Sequence, residues 1–113
     1  MIELKSLADL EQALREKSRP VVLFKHSTRC PVSAAADEEY RAFAEGHPEA
    51  AIFAHLDLIA HRQVSNAIAE RLGVRHESPQ AIVVKGGKAS VVLNHDEITA
   101  EELARILPRE RTT

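Results

Sequence analysis

Apolar residues recur along this chain in two alternating rhythms, and those rhythms set out its elements. Ser6 followed by Asp9 has the form of a helix N-cap with an acidic first turn, and Leu7, Leu10 and Leu14 repeat at three- and four-residue spacing. A helix is therefore predicted to about Lys17, ended by Ser18-Arg19-Pro20, because a residue before proline is pushed out of the helical region. Val21 to Lys25 is a short, β-branched apolar run, the profile of a strand covered on both faces. Val32, Ala35, Ala36, Tyr40 and Phe43 then fall on one helical face, opposite Asp37, Glu38 and Arg41, until Gly46-His47-Pro48 closes the helix.

Ala51 to Asp57 alternates as a second strand, with Ile52, Ala54 and Leu56 on one side and Phe53, His55 and Asp57 on the other. Val64, Ala67, Ile68 and Leu72 mark a third helix, with Gly73 as its C-cap. Gln80–Lys85 and Lys88–Leu93 flank Gly86-Gly87 as an antiparallel hairpin. Thr99-Ala100-Glu101-Glu102 reads as a capping box opening a last helix along Leu103, Ile106 and Leu107. Residues 108–113 are a charged tail expected to fray.

The first two strands, joined through a helix, make a parallel pair, and the last two make an antiparallel hairpin. The fold class expected is α/β: a four-stranded mixed sheet with helices on both faces, the thioredoxin-like arrangement, in one domain spanning residues 1–113. Fold alone does not give function.

Composition narrows the classes. A net charge of −2 with interspersed signs gives no electrostatic reason to expect nucleic acid or an anionic membrane as partner. No apolar run approaches the roughly 20 residues that span a bilayer. The first residues lack the charged and apolar regions of a signal peptide. One cysteine, Cys30, permits no internal disulfide. These features point to a reducing cytoplasm.

Cys30 lies where the Val21–Phe24 run gives way to the helix beginning near Val32. Its polar neighbours and Pro31 argue against an inert core cysteine. Unpaired N–H groups at the start of that helix, with Arg29 adjacent, favour the thiolate, so a lowered pKa is expected for Cys30. His26 either helps the sulfur as a cation or donor or simply ends the strand. Arg62 either contacts an anionic ligand or begins a solvated helix. His47, His55 and His61 read as surface or half-buried side chains, and His26 with Cys30 is too sparse a set for a metal site.

Three segments carry a closer resemblance: Phe24-Lys25-His26-Ser27-Thr28-Arg29-Cys30-Pro31-Val32-Ser33, then Arg62-Gln63-Val64-Ser65-Asn66, then Val74-Arg75-His76-Glu77-Ser78-Pro79-Gln80. With these the chain resembles the bacillithiol-system YtxJ family, the monothiol bacilliredoxins of C type. The departure is Asp96, where family members often carry an aromatic residue after the histidine matching His95.

The resemblance implies a thiol-disulfide oxidoreductase. Cys30 would be the nucleophile of a Cys-x-x-Cys loop whose second cysteine is replaced by Ser33. It would remove bacillithiol, a co-substrate and not a bound cofactor, from client mixed disulfides. A low-molecular-weight thiol or a reductase would then restore the enzyme. His26, Arg29, Pro31 and Ser33 would support Cys30, with Ser33 able to donate a hydrogen bond to its sulfur. Pro79 would be the cis-proline facing the cysteine, leaving Ser78 backbone groups to pair with a ligand or client, and His76, Gln80 and Arg62 would line the same groove. No metal is expected. Two other readings stay open: iron–sulfur cluster binding like that of some monothiol glutaredoxins, whose Cys-Gly-Phe-Ser loop differs from Pro31-Val32 here, and a thioredoxin-like module that docks clients without turnover.

Overall fold

A computed structural model describes residues 1–107; the charged tail lies outside the described residues. The chain runs β1 (Ile2–Glu3), α1 (Leu7–Leu14), β2 (Val21–His26), α2 (Pro31–Gly46), β3 (Ile52–Asp57), α3 (Arg62–Leu72), β4 (Gln80–Lys85), β5 (Lys88–Asn94), a 3₁₀ turn (His95–Glu97) and α4 (Ala100–Ile106). The sheet order is β1-β3-β2-β4-β5. β2 pairs with β3 in parallel, as the crossover argument requires, and β4 with β5 in antiparallel register, as the hairpin argument requires; β2 also pairs with β4, antiparallel. The sheet has five strands instead of the four expected. The extra one is β1, whose two residues pair in parallel with Ala54 and His55 and are too few to show any alternation in the sequence.

Side chains of β2 alternate between two cores. Val22 and Phe24 pack with Tyr40 and Phe43 of α2 and Leu103 of α4. Val21 and Leu23 pack with Leu10 and Leu14 of α1 and Val64 and Ile68 of α3. Helices therefore cover both faces, and each fully buried Leu or Phe contributes on the order of 1.5–3 kcal/mol through the apolar area removed from water.

Several local expectations shift. The buried stripe of α2 runs through Ser33, Ala36, Tyr40, Phe43 and Ala44, whereas Val32 and Ala35 are exposed, because the helix turns the Ser33 side of its first turn inward. α1 ends at Leu14, before Lys17, and its Leu7 is exposed. Thr99 caps α4 by accepting from the Glu102 N–H, but the Glu102 carboxylate turns to Arg105 and does not complete the box. Gly73 closes α3 in the left-handed region at φ 66°, and Gly86 and Gly87 turn the hairpin at φ 60° and 80°, conformations that other residues adopt only with strain.

Candidate active site

Strand register assembles the site. β2 ends at His26 and releases the cysteine loop; β4 begins at Gln80, directly opposite Lys25, after the Ser78–Pro79 turn. The cysteine loop and the turn before β4 thus leave the sheet at the same end. The Ser78–Pro79 peptide bond is cis. The turn is also tied to the hairpin's far end, where the His95 N–H donates to the Pro79 carbonyl at 2.9 Å and His95 Nε2 meets Glu77 at 3.1 Å.

Cys30 is half-buried and occupies the N-cap of α2, with Pro31 at the first helical position. Proline's missing N–H costs nothing there, since that group has no helical partner in any case. Pro31 and Val32 border a shallow cleft of about 500 Å³ completed by Ala35, His95, Asp96 and Ile98, so Asp96, the departure from the family pattern, lies on its wall.

Ser33 is fully buried, and its hydroxyl does not bond the sulfur. It lies 2.9 Å from the Ser27 backbone N–H and 2.9 Å from His26 Nδ1. The assignment that uses all three groups has Ser33 accept from Ser27 and donate to His26, which leaves no hydroxyl proton for Cys30. His26 is held below the usual histidine pKa, first by burial and further by the nearby His55 and Arg41, against the opposing pull of Asp37 and Asp57. With Ser33 donating, His26 Nδ1 is the acceptor in this loop. Arg29 is exposed beside the cysteine.

Behind His26 a second network passes into the α2 core. The His26 and His55 rings stand 5.5 Å apart. His55 Nε2 is 2.7 Å from Asp37 Oδ1, and Arg41 Nε donates to both Asp37 oxygens at 3.0–3.1 Å. Burial opposes ionisation of Asp37, but the hydrogen bonds from Arg41 and His55 outweigh it and hold its carboxyl below the usual range. The sequence pattern placed Asp37 on the solvent face and His55 at or near the surface. Both are corrected: His55 is 4% exposed, because its place on β3 faces α2, and Asp37 is drawn in beside it.

The opposite side of β2 holds a residue the sequence reading passed over. Lys25 is fully buried, and its ammonium has one partner, His76 Nδ1 at 3.2 Å. Burial lowers the Lys25 pKa to about 8. Ser65 Oγ lies 3.4 Å from the same imidazole nitrogen. His76 is depressed by burial and then by the charges of Lys25 and Arg62, so Arg62, at the exposed start of α3, stands within electrostatic reach. Gln80 is buried; its amide nitrogen donates to the Arg75 carbonyl at 2.9 Å and to Asn94 at 3.1 Å. Its amide oxygen and the Ser78 hydroxyl are buried without partners. The signal that could have found Lys25 is a cationic residue inside an apolar strand flanked on both faces. Among the described residues, no cluster of three or more His, Cys, Asp or Glu side chains forms a metal-binding set.

Comparison with known proteins follows the same lines. The family model described as monothiol bacilliredoxin BrxC matches residues 2–103. A solved structure described as a candidate oxidoreductase with a thioredoxin fold is 32% identical, with a TM-score of 0.82, over 92% of this chain and 90% of that one. Fasciola hepatica thioredoxin (24% identity, TM-score 0.72, 93% and 92% covered) and reduced Schistosoma mansoni thioredoxin (21%, 0.74, 93% and 92%) share the fold. The family match and the 32%-identical oxidoreductase of thioredoxin fold support a thiol oxidoreductase, and the chain belongs to the monothiol bacilliredoxin family.

Proposed function

We propose that the protein removes bacillithiol from mixed disulfides on client proteins, with Cys30 as nucleophile and an outside thiol as resolver. The observation that carries this reading is Ser33. It stands three residues after Cys30, fully buried and held by His26 and Ser27, so the chain has no second thiol to resolve an adduct on Cys30.

The exchange then has two balanced steps. Cys30 thiolate attacks the bacillithiol sulfur of the client disulfide; a Cys30–bacillithiol S–S bond forms, the S–S bond between bacillithiol and the client breaks, and the client leaves as thiolate. A second thiolate, from free bacillithiol or a reductase, attacks the capped adduct, taking bacillithiol into a new disulfide and returning Cys30 as thiolate. Helix amides without backbone partners at Val32 and Ser33 favour negative charge at this end of α2. The Ser78 backbone beside Pro79, which has no hydrogen-bonded backbone partner among the described residues, is available to an extended client segment. No helix among the described residues is long and apolar enough to cross a membrane, and the reading places the protein in a reducing cytoplasm with its thiol co-substrate.

The test is to incubate reduced protein with a bacillithiol-capped client and read intact masses of both. Uncapped client together with a Cys30 adduct, both lost in Cys30→Ala, is the expected result. Absence of transfer, with cluster absorption after iron and sulfide reconstitution, would overturn it in favour of cluster binding.

A further inference from the structure

Lys25 is an anomaly in the energetics of this fold. A lysine ammonium taken out of water is costly unless a counter-charge accompanies it. Among the described residues Lys25 forms no ion pair, and its one hydrogen-bond partner is the neutral acceptor nitrogen of His76. Glu77, the carboxylate next in sequence to His76, is engaged by His95 at 3.1 Å. Around this uncompensated charge lie two further incomplete groups, the partnerless buried Ser78 hydroxyl and Gln80 amide oxygen. Gln80 cannot simply be turned over to satisfy that oxygen, because its amide nitrogen is fixed by two acceptors, Arg75 O and Asn94 Oδ1.

The hydrogen-bond directions say what would compensate the Lys25 charge; the Gln80 oxygen is an acceptor and needs a donor of its own. With the Lys25 ammonium donating to Nδ1, a neutral His76 carries its proton on Nε2. That nitrogen has no partner among the described residues, and His76 is exposed. The buried charge is thus relayed through the ring to an outward N–H, polarised from behind. Arg62 stands one turn before Ser65 on α3, on the helix face whose Ser65 hydroxyl lies 3.4 Å from His76, and adds an exposed guanidinium whose planar fork matches a carboxylate.

We propose that Lys25, His76 and Arg62 form a carboxylate-binding subsite at the edge of the Ser78–Pro79 turn, holding the non-reacting, anionic part of the low-molecular-weight thiol while its sulfur meets Cys30. This rests on the bacilliredoxin reading, under which the ligand is bacillithiol, whose malate portion is a dicarboxylate. Lys25 and His76 supply charge and direction, and Arg62 supplies the exposed fork.

Two measurements test it. In Cys30→Ser protein, malate alone is titrated while the His76 ring resonances are followed by NMR. A saturable shift is expected, with affinity about tenfold weaker in Arg62→Gln, the size of one charge-assisted hydrogen bond, and weaker in Lys25→Met, which removes the charge behind the His76 ring. No saturable shift, or an affinity in either variant unchanged from that of the parent, overturns the subsite; Arg62 is exposed, so its variant is protected from folding artefacts. In the second measurement, the rate of cap transfer to Cys30 is compared for a client peptide capped with mercaptosuccinate and one capped with mercaptoethanol. The anionic-to-neutral ratio should fall in either variant, about tenfold in Arg62→Gln. A common fall in both rates, with the ratio kept, assigns Lys25 and Arg62 a merely structural role and overturns the proposal. Loss of transfer from bacillithiol in the unmodified protein would instead remove the reductase reading, and the malate titration would still decide the subsite.

Discussion

Lys25 and His26 are consecutive residues of one strand, yet they end in opposite electrostatic situations. His26 faces α2, bonds Ser33 and stands beside His55, which meets Asp37 and Arg41. Lys25 faces α3 and meets one imidazole and no counter-charge. A network that closes except at the buried His55 Nδ1, with both signs of charge present, stabilises the fold locally. A buried charge without a counter-charge is a stability cost that the rest of the fold must offset, which is the mark of a group held ready for something else.

The largest effect that can break this comparison is on the closed side. Asp37→Ala removes the one carboxylate that both His55 and Arg41 use, and should destabilise the protein by about 2–3 kcal/mol in denaturant titration, its partial exposure keeping the loss below that of a fully buried pair. An effect under half a kcal/mol would show that the network is not a structural unit. On the other face the sign should reverse. Lys25→Met, similar in shape and without charge, should stabilise the fold at pH 7 by about 2 kcal/mol. Loss of stability there would mean that the ammonium is compensated after all.

The same variant has a pH signature. The Lys25 pKa is lowered to about 8 in the folded protein and is ordinary in the unfolded chain, so between about pH 8 and 10.5 the unfolded state binds more protons. The parent should therefore gain stability as pH rises through that window, and the advantage of Lys25→Met should shrink across it; melting curves of both proteins at pH 7, 9 and 10.5 measure the convergence. Next in size, Tyr40→Phe removes a fully buried hydroxyl that donates to the Ala54 carbonyl at 2.8 Å and lies 3.3 Å from that of Val22, and should cost about 1 kcal/mol. The smallest effect is on the acid side. His26 and His76 both have depressed pKa values, so their contribution is complete above about pH 6.5 and is lost as pH falls through their folded values. His26→Phe should flatten part of that acid slope, and an unchanged slope would assign it to other groups.

How much of this was legible in the sequence follows from which signals are local. The β2, β4 and β5 runs, the Gly86-Gly87 turn and the Gly73 cap were readable because each depends on a few neighbouring residues. Cys30 and Ser33 were readable as a pair of positions, and Pro79 through the family resemblance, but not the direction of the Ser33 hydroxyl, which is set by His26 and Ser27 across the loop. β1 was missed because its two residues gain strand identity only from β3. Asp37 and His55 were misplaced because their burial depends on each other, eighteen positions apart. Lys25 was hidden by its strand: Val21 to Phe24 announce an apolar element, and which face its last residues take is decided by α3 and the His76 segment, far along the chain.

Ser33 has a mechanical consequence. In a loop with two cysteines, the sulfur at this position forms and breaks a covalent bond during each cycle, so the loop's internal connections differ between oxidised and reduced forms. Here the position is a fastener made of hydrogen bonds, joining Ser27 and His26 to the first turn of α2 with no sulfur in the closure. These bonds do not involve the Cys30 sulfur, so under the proposed exchange an adduct on Cys30 would leave them in place, and client and resolving thiol would meet the same scaffold.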